Sequence, residues 1–389
     1  MFSLNKADFR PSIGEVNTGL ACVLLIQLTT EAYLSPKHHH RSGHHTFDYR
    51  TLAGLPDSSS ILLMRTDYSH LAVTTSRFAS WIAILAAAMG AMVLMSGVQA
   101  QTLNVSLLLS DGSSPYRQFA DAFNIALAAS KADVHIIEVS LNSPVDARRL
   151  FALPGAKNAD LIVAVGTKAA ELSVVQIDTP VLVVMVPETG YQKLLMKKSL
   201  PTISAIYLNQ PWDRQFDFLR AALPERRKIG LLYSPDTRID IESLRKKVAA
   251  RGGLLTARPV QSADSLFSAL ESVLADSTVL LAIPDSAIYS SSNFRNILLT
   301  SYRHDVPLVG FSKAYVNAGA LCAIFSTPEQ LAGQASETVV LFTRDGQMPA
   351  PQYPAVFTIE VNQQVARSLE LKLPTQDEIR AQMNRGAAR

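Results

Sequence analysis

Polar side chains follow several apolar runs of this sequence, at places where a strand would end and a helix would begin. The first such loop holds Ser110, Asp111, Ser114 and Tyr116. Hydroxyls, a carboxylate and free backbone N–H groups before a helix can bind an anion or a polar small molecule. Capping of the helix by Ser113 or Ser114, with Pro115 at its first position, explains the same residues without a ligand. Both interpretations stay open.

Comparable loops recur along the chain. They contain Gly166, Thr167, Pro187 and Glu188 in the first half, and Tyr233, Ser234, Asp236, Pro284, Asp285, Ser286, Tyr289, Phe311 and Ser312 in the second. Facing loops of this composition form a cleft with polar anchors and aromatic walls, which is typical of small-molecule binding. Capping competes at each Ser and Asp. Glu188 could pair with a ligand amino group or be a solvated loop carboxylate.

Catalytic and cofactor motifs are missing from the same sequence. Neither G-x-S-x-G nor H-E-x-x-H occurs, and no glycine-rich nucleotide motif is found. His135 falls inside an apolar run and His304 follows a helical stretch, away from the strand-end loops. The histidines between 38 and 45 lack carboxylate or thiolate partners, so we expect no metal function. The sequence predicts a non-enzyme without cofactor, catalytic residues or metal.

Composition excludes further classes. The chain has 389 residues, of which 48% are hydrophobic and 18% charged, as in a globular protein. A formal net charge of +3, without a block of like charges, argues against a nucleic-acid partner. Cys22 and Cys322 are too few and too distant for a zinc site or a disulfide framework. Apolar neighbours predict that Cys322 is buried in a core.

The elements that must position the polar loops alternate in type. Apolar runs without period-2 polarity predict strands buried on both faces, and between them lie stretches with helical spacing. The predicted strands are Leu103 to Leu109, Val134 to Val139, Leu161 to Val165, Val181 to Val186, Lys228 to Tyr233, Leu255 to Val260, Val279 to Ile283 and Pro307 to Phe311. This order predicts two doubly wound α/β domains, each with four or five parallel strands. Ligands of such sheets bind at the carboxyl ends of the strands.

Several motifs of the second half resemble one family. They are Leu223-Pro224 before Lys228 to Pro235, Ile283-Pro284-Asp285-Ser286, Val306 to Ser312 with Gly319-Ala320-Leu321, and Val361-Asn362 to Leu373-Pro374; Val163 to Thr167 and Thr179-Pro180-Val181 add to them in the first half. In order and spacing they resemble the substrate-binding proteins of ABC transporters, in the family that includes tryptophan- and tyrosine-type uptake receptors.

The resemblance implies two Rossmann-like lobes of the type I periplasmic-binding-protein kind, joined by hinge strands, with the ligand in the cleft and a membrane permease with its ATPase as partners. It also implies that the helix after Thr327 returns to the first lobe and that the tail crosses back. Two departures affect the cleft. Val186-Pro187-Glu188-Thr189 stands where the family carries a Thr-Asp-Pro loop, and Phe325 to Glu329 replaces a tyrosine-rich approach. The resemblance therefore does not fix the ligand as an aromatic amino acid.

An export signal precedes these domains. Residues 64–100 combine Arg65 and Arg77, an apolar block from Trp81 to Leu94, and small residues at Val98 and Ala100. This pattern predicts a signal peptide cleaved between Ala100 and Gln101, because the apolar block is shorter than the roughly 20 residues that span a bilayer. Residues 1–63 fit no export pattern and are predicted to be a non-globular extension ahead of a start at Met64.

The sequence as a whole predicts an extracytoplasmic, soluble, periplasmic receptor. It would deliver a small molecule to an ABC permease in the inner membrane; the alternative is a sensory binding protein that signals to a membrane kinase or cyclase. The predicted first lobe comprises residues 101–207 and about 326–355, and the second comprises 208–325 and about 356–389.

Overall fold

The apolar runs of the first half form one parallel sheet. Its elements, in chain order, are β1 (Leu103–Leu109), α1 (Ser114–Ser130), β2 (Val134–Ser140), β3 (Leu161–Val165), α2 (Thr167–Gln176), β4 (Val181–Val186), α3 (Glu188–Lys197) and β5 (Ile203–Tyr207). The strand order is β2-β1-β3-β4-β5. The chain therefore reverses direction across the sheet between β1 and β3, which makes their carboxyl ends a topological switch point.

The structure is a computed structural model that describes residues 102–141, 158–176, 179–197 and 202–387. All of them belong to one compact unit, Ser96–Arg389. The predicted extension, signal peptide and cleavage site lie outside the described residues.

A second sheet follows in the other half. Its elements are α4 (Trp212–Ala222), β6 (Lys228–Tyr233), α5 (Ile241–Ala249), β7 (Leu254–Pro259), α6 (Leu266–Ala275), β8 (Val279–Leu281), α7 (Ser291–Arg303), β9 (Leu308–Gly310), α8 (Lys313–Asn317), β10 (Cys322–Phe325), α9 (Pro328–Asp345), β11 (Thr358–Val361), α10 (Gln363–Ser368) and α11 (Gln376–Ala387). The strand order is β11-β10-β9-β8-β6-β7. Its switch point lies between β6 and β8.

The expected four or five parallel strands are present in this second sheet, since β10, β9, β8, β6 and β7 run parallel, but the sequence did not predict the additional edge strand β11. It has six strands, and β11 runs antiparallel to β10. β11 alternates partly exposed and buried residues, as an edge strand does, so it lacks the continuous apolar run by which the other strands are found. The prediction that Cys322 is core is confirmed, because its side chain is fully buried in β10.

Helices cover both faces of the first sheet. On one face Phe119 and Phe123 of α1 stack on each other and pack with Leu331 and Val339 of α9. On the other face Tyr191 and the helices α2 and α3 cover the sheet. α9 thus returns from the second sheet to the first, and we call the two α/β layers lobe 1 and lobe 2.

Three segments carry the chain between the lobes, and we call them the crossings. The first, 208–211, leads from β5 to α4; the second, 326–327, leads from β10 to α9; the third, 352–357, leads back to β11. The second crossing is fixed by a capping box in which Thr327 Oγ1 accepts from Gln330 N, and Gln330 Oε1 accepts from Thr327 N.

Candidate ligand-binding cleft

A cavity of about 350 Å³ lies between the lobes, on the β4 and β5 side of lobe 1. One wall is α3 with the loop before it, the opposite wall is the segment from Thr237 to Lys247 of lobe 2, and residues of two crossings reach its base. The lining residues are Pro187, Glu188, Thr189, Gln192, Lys193, Met196, Asn209, Trp212, Gln215, Thr237, Arg238, Ile239, Asp240, Ser243, Leu244, Lys247, Ile283, Pro284 and Tyr353. Both lobes therefore supply the cavity.

Glu188 forms the acidic corner of this cavity. Its Oε2 accepts a hydrogen bond from the Tyr353 hydroxyl at 2.5 Å, and its backbone N–H donates to Asn209 Oδ1 at 2.8 Å. Burial raises the pKa of Tyr353, and the hydrogen bond to Glu188 raises it further, so the hydroxyl stays protonated and keeps donating. The first and third crossings thus hold a carboxylate at the cleft.

The orientation of Glu188 depends on an irregularity at the end of β4. Met185 has a left-handed φ of 58°, and the pairing of β4 with β5 shifts register between Val184 and Val186. A non-glycine residue in that conformation is unfavourable on its own and persists only where the surroundings impose it. The irregularity changes the direction of the chain at the end of β4, and Pro187 and Glu188 follow it into the cavity.

Side chains of both walls pair across the cleft mouth. Lys193 pairs with Asp236 across the cleft mouth at 2.8 Å, and its hydrogen bond and charge hold the pKa of Asp236 below its usual range. Arg238, whose φ of 45° is also left-handed, donates to Met196 Sδ at 3.2 Å. Lys247 pairs with Asp213 at 2.5 Å. Lys193 and Arg238 thus join the two walls, whereas the Lys247–Asp213 pair lies within lobe 2.

The floor is apolar and aromatic. Trp212 stacks on Phe216 with ring centroids 5.8 Å apart, and Ile283 and Leu244 continue the surface. Tyr207 packs edge-on against Tyr353 at 5.1 Å behind the acidic corner. The arrangement offers an aromatic face beside one carboxylate, with amide groups at the edge.

Few of the residues predicted from the sequence line this cavity. Pro187, Glu188 and Pro284 do, and Asp236 bridges its mouth. The others lie at the two switch points or on the exposed turns beside them: Asp111, Ser114, Thr167 and Ser286 are exposed, and Tyr233, Phe311 and Ser312 are half-buried.

At the switch point of lobe 1 the side chains satisfy one another. The Ser110 hydroxyl donates to the Val165 carbonyl at 2.9 Å and accepts from Ala169 N at 3.0 Å, so it caps α2 from the neighbouring strand. Tyr116 hydrogen-bonds Ser110 and lies over Gly166. A Cβ at Gly166 would come within 2.6 Å of the Tyr116 hydroxyl, so the ring fills this crevice.

The switch point of lobe 2 holds a buried carboxylate and two buried hydroxyls. Asp285 is buried, and its carboxylate accepts from Ser234 N at 2.8 Å and from Ala287 N at 3.1 Å. Ser234 Oγ and the Tyr289 hydroxyl are buried beside it, and neither has a hydrogen-bond partner within the part of the chain that the structure describes. Burial, and then the Asp285 charge, raise the pKa of Tyr289, so the hydroxyl is a neutral donor.

Three cavity residues on the crossings and at the start of α4 were not predicted from the sequence. None of the strands predicted from apolar runs ends directly before Asn209, Trp212 or Tyr353. The sequence pattern therefore did not indicate these residues as part of a cleft. Trp212 is one of only two tryptophans in the chain and stands directly after Pro211, which is the one signal that could have drawn attention to it.

Two doubly wound lobes, crossed three times by the chain and enclosing a cavity, define a two-lobed binding protein. Residues 131–382 match the family model of the ABC transporter substrate binding proteins, and the chain belongs to this family. The predicted resemblance is thereby confirmed. No curated protein sequence matches the chain.

Solved structures with the same fold share little sequence with it. A conserved domain protein from Vibrio cholerae is 18% identical with a TM-score of 0.54, and the match covers 72% of this chain and 98% of that one. A domain from Streptococcus pneumonia in complex with L-Trp is 17% identical with a TM-score of 0.53, over 70% and 96% of the two chains. A ligand-free, open substrate-binding protein with adhesive properties from Clostridium difficile is 17% identical with a TM-score of 0.56, over 70% and 97%. At these identities the likeness establishes the fold.

The described residues hold neither a candidate membrane span nor a candidate metal site. No helix among them is long and apolar enough to cross a membrane. No group of three or more His, Cys, Asp or Glu side chains in the described part of the chain is placed to hold a metal ion.

Proposed function

We propose that the protein is an extracytoplasmic receptor that captures a small molecule between its lobes and delivers it to an ABC permease of the inner membrane. The observation that carries the proposal is the cavity of about 350 Å³, which both lobes line and which has the size of a small-ligand site. Family membership supports it. Closure of two lobes on a ligand presents a composite surface that a membrane partner can recognise.

The lining favours a ligand that carries both charges and a flat or apolar body. A cationic group would pair with Glu188 and lie against the Trp212 ring, since an ammonium is attracted to an aromatic face. An anionic group would pair with Arg238 on the opposite wall. The pneumococcal neighbour was crystallised with L-Trp, so amino acids come first in a screen of this chain.

The buried hydroxyls of lobe 2 are proposed as a second set of contacts. Ser234 and Tyr289 carry unused hydrogen-bonding capacity beside Asp285, and a polar ligand group or a bound water would satisfy it. Ser110 and Gly166 belong to the proposed site as its supporting frame.

A thermal-shift screen of the full chain with amino acids, nucleosides, sugars and anions tests capture. A ligand at 100 times its Kd adds about 2.7 kcal/mol to the free energy of unfolding. Calorimetry on each hit should then show that Glu188→Gln weakens binding by about 10- to 100-fold, because a hydrogen bond to a charged group is worth about 1.5–3 kcal/mol. Glu329→Gln is the matched control, since Glu329 also stands in the first turn of a lobe 1 helix but is exposed. Equal affinity of the Glu188 variant and parent would contradict this site.

Export and delivery need their own experiments. N-terminal sequencing of the periplasmic protein should begin at Gln101, and any residue retained before position 90 would overturn the cleavage claim. Uptake of a radiolabelled hit should be lost from cells without the gene. Undiminished uptake would separate the receptor from transport.

A further inference from the structure

The three crossings are tied to one another by a single chain of hydrogen bonds. Gln210 in the first crossing donates through Nε2 to Ser326 Oγ in the second at 2.9 Å. Ser326 Oγ in turn donates to the carbonyl of Val356 in the third at 2.5 Å. Arg214 closes the circuit, because its Nη1 donates to Gln210 Oε1 at 2.6 Å and to the Pro354 carbonyl at 2.8 Å.

Arg214 is held there by packing as well as by hydrogen bonds. Its guanidinium lies over the Phe357 ring, 4.9 Å from the centroid, and Arg380 of α11 lies over the same ring at 4.7 Å. No carboxylate among the described residues forms an ion pair with Arg214. Burial lowers the pKa of its guanidinium, yet an arginine stays charged at any physiological pH. A half-buried cation held only by neutral acceptors is unfavourable, so its place between the crossings needs an explanation.

The circuit lies directly behind the cavity. Trp212 lines the floor two residues before Arg214, and Tyr353, whose hydroxyl holds Glu188, stands next to Pro354. Arg214 itself does not line the cavity. A ligand in the cleft would therefore contact Trp212 and Tyr353. Arg214 lies two residues after Trp212 and donates a hydrogen bond to the carbonyl of Pro354, the residue after Tyr353.

We infer that Arg214 is a positioning residue of the hinge: by joining the first and third crossings it sets the angle at which the lobes meet. The inference rests on the proposed function, because the angle matters only if the lobes close on a ligand. Hinge motion is absorbed by a few crossing residues, and the planar fork of arginine can span two acceptors where a lysine ammonium presents a single point charge. Without Arg214 the crossings should move more independently.

Spin labels on the two lobes test this without any ligand. The full chain carrying Cys22→Ser, Asp121→Cys on α1 and Arg295→Cys on α7 would be labelled at the two introduced thiols, because both positions are exposed whereas Cys322 is buried. Electron–electron double resonance then gives the interlobe distance distribution. Arg214→Met should shift or broaden it by several ångströms, and Arg214→Lys should have a smaller effect in the same direction.

Arg220→Met is the matched control, since Arg220 lies on the same helix but is exposed. It should leave the distribution unchanged. If Arg214→Met does not fold, Gln210→Leu and Ser326→Ala break the same circuit and should shift the distribution the same way. An unchanged distribution in these variants, with only a lowered unfolding midpoint, would overturn the inference and assign Arg214 a purely structural role. Because no ligand is added, a failure of the proposed function would show in the binding screen and not in this measurement.

Discussion

The switch points of the two lobes hold similar side chains in opposite states. In lobe 1, Ser110 uses its hydroxyl twice within the protein, and Tyr116 hydrogen-bonds it over Gly166. In lobe 2, Ser234 follows β6 and Tyr289 follows β8, and no described residue hydrogen-bonds either buried hydroxyl. The same residue types therefore complete the frame in one lobe and leave hydrogen-bonding capacity unused in the other.

This difference separates structural from binding residues where the sequence pattern does not. A buried hydroxyl that is hydrogen-bonded within the protein stabilises the fold. A buried hydroxyl without a hydrogen bond lowers stability until a ligand or a water molecule bonds it. Removing one of these hydroxyls by substitution should consequently lower the free energy of unfolding in lobe 1 and leave it nearly unchanged in lobe 2.

The largest effect is expected at Gly166. Its φ of 87° is left-handed, and an added Cβ would lie 2.5 Å from Ser110 Oγ and 2.6 Å from the Tyr116 hydroxyl. Gly166→Ala should lower the free energy of unfolding by about 3 kcal/mol, since backbone strain and overpacking add. Urea denaturation measures this. A loss below about 1 kcal/mol would mean that the lobe 1 crevice is loosely packed.

The serines of the two switch points give the most direct comparison. Ser110→Ala leaves the N–H of Ala169 without its acceptor and should cost about 1–3 kcal/mol of stability. Ser234→Ala removes a hydroxyl that hydrogen-bonds none of the described residues and should change the free energy of unfolding by no more than about 0.5 kcal/mol. Equal losses in the two variants, measured by urea denaturation without ligand, would contradict the contrast between the lobes.

A polar substitution in the buried core of the lobe 2 sheet should lower the stability of the protein. Cys322→Ser places a hydroxyl in a fully buried strand and is expected to cost roughly 1–2 kcal/mol. Burial raises the pKa of the Cys322 thiol to about 12, so the thiolate is absent at neutral pH. In the chain with Cys22→Ser, a thiol reagent should therefore react only after unfolding. Rapid reaction of the native protein would refute the core assignment.

The fold could be predicted from the sequence where strands are apolar on both faces. Leu103–Leu109, Leu161–Val165, Val181–Val186 and Lys228–Tyr233 begin and end as the pattern predicts. β11 could not, because Thr358 and Glu360 interrupt its apolar character at the sheet edge. Continuous burial leaves a local signal, and pairing at an edge does not.

The candidate site could be predicted only in part. Glu188 was predicted because it follows a strand, but Trp212 enters the cavity from the first turn of α4 and Tyr353 from the third crossing, and their positions depend on how the lobes assemble. The hydrogen bond between Tyr353 and Glu188 joins residues 165 positions apart, and no local pattern encodes such a contact. Arg214 is likewise an ordinary helix residue in the sequence and becomes a hinge residue only through its contacts.

The smallest expected effect concerns the two tyrosines, and pH makes it measurable. Burial raises the pKa of Tyr289 and, to a lesser degree, that of Tyr116, where the Ser110 hydrogen bond opposes the rise. A raised native pKa contributes stability below the unfolded value near 10 and loses it as the pH rises through the native pKa. The free energy of unfolding should therefore fall above about pH 10, and Tyr289→Phe should make that fall smaller than Tyr116→Phe does.

At pH 7 Tyr116→Phe should be the more destabilising of the two substitutions. It gives up a hydrogen bond worth about 0.5–1.5 kcal/mol, whereas Tyr289→Phe removes a hydroxyl that has no partner among the described residues and should be neutral or slightly stabilising. Denaturation of both variants at pH 7 and at alkaline pH checks the two signs together. A destabilised Tyr289→Phe at pH 7 would show that an ordered water already satisfies the hydroxyl, and the contrast between the lobes would then rest on Ser234 alone.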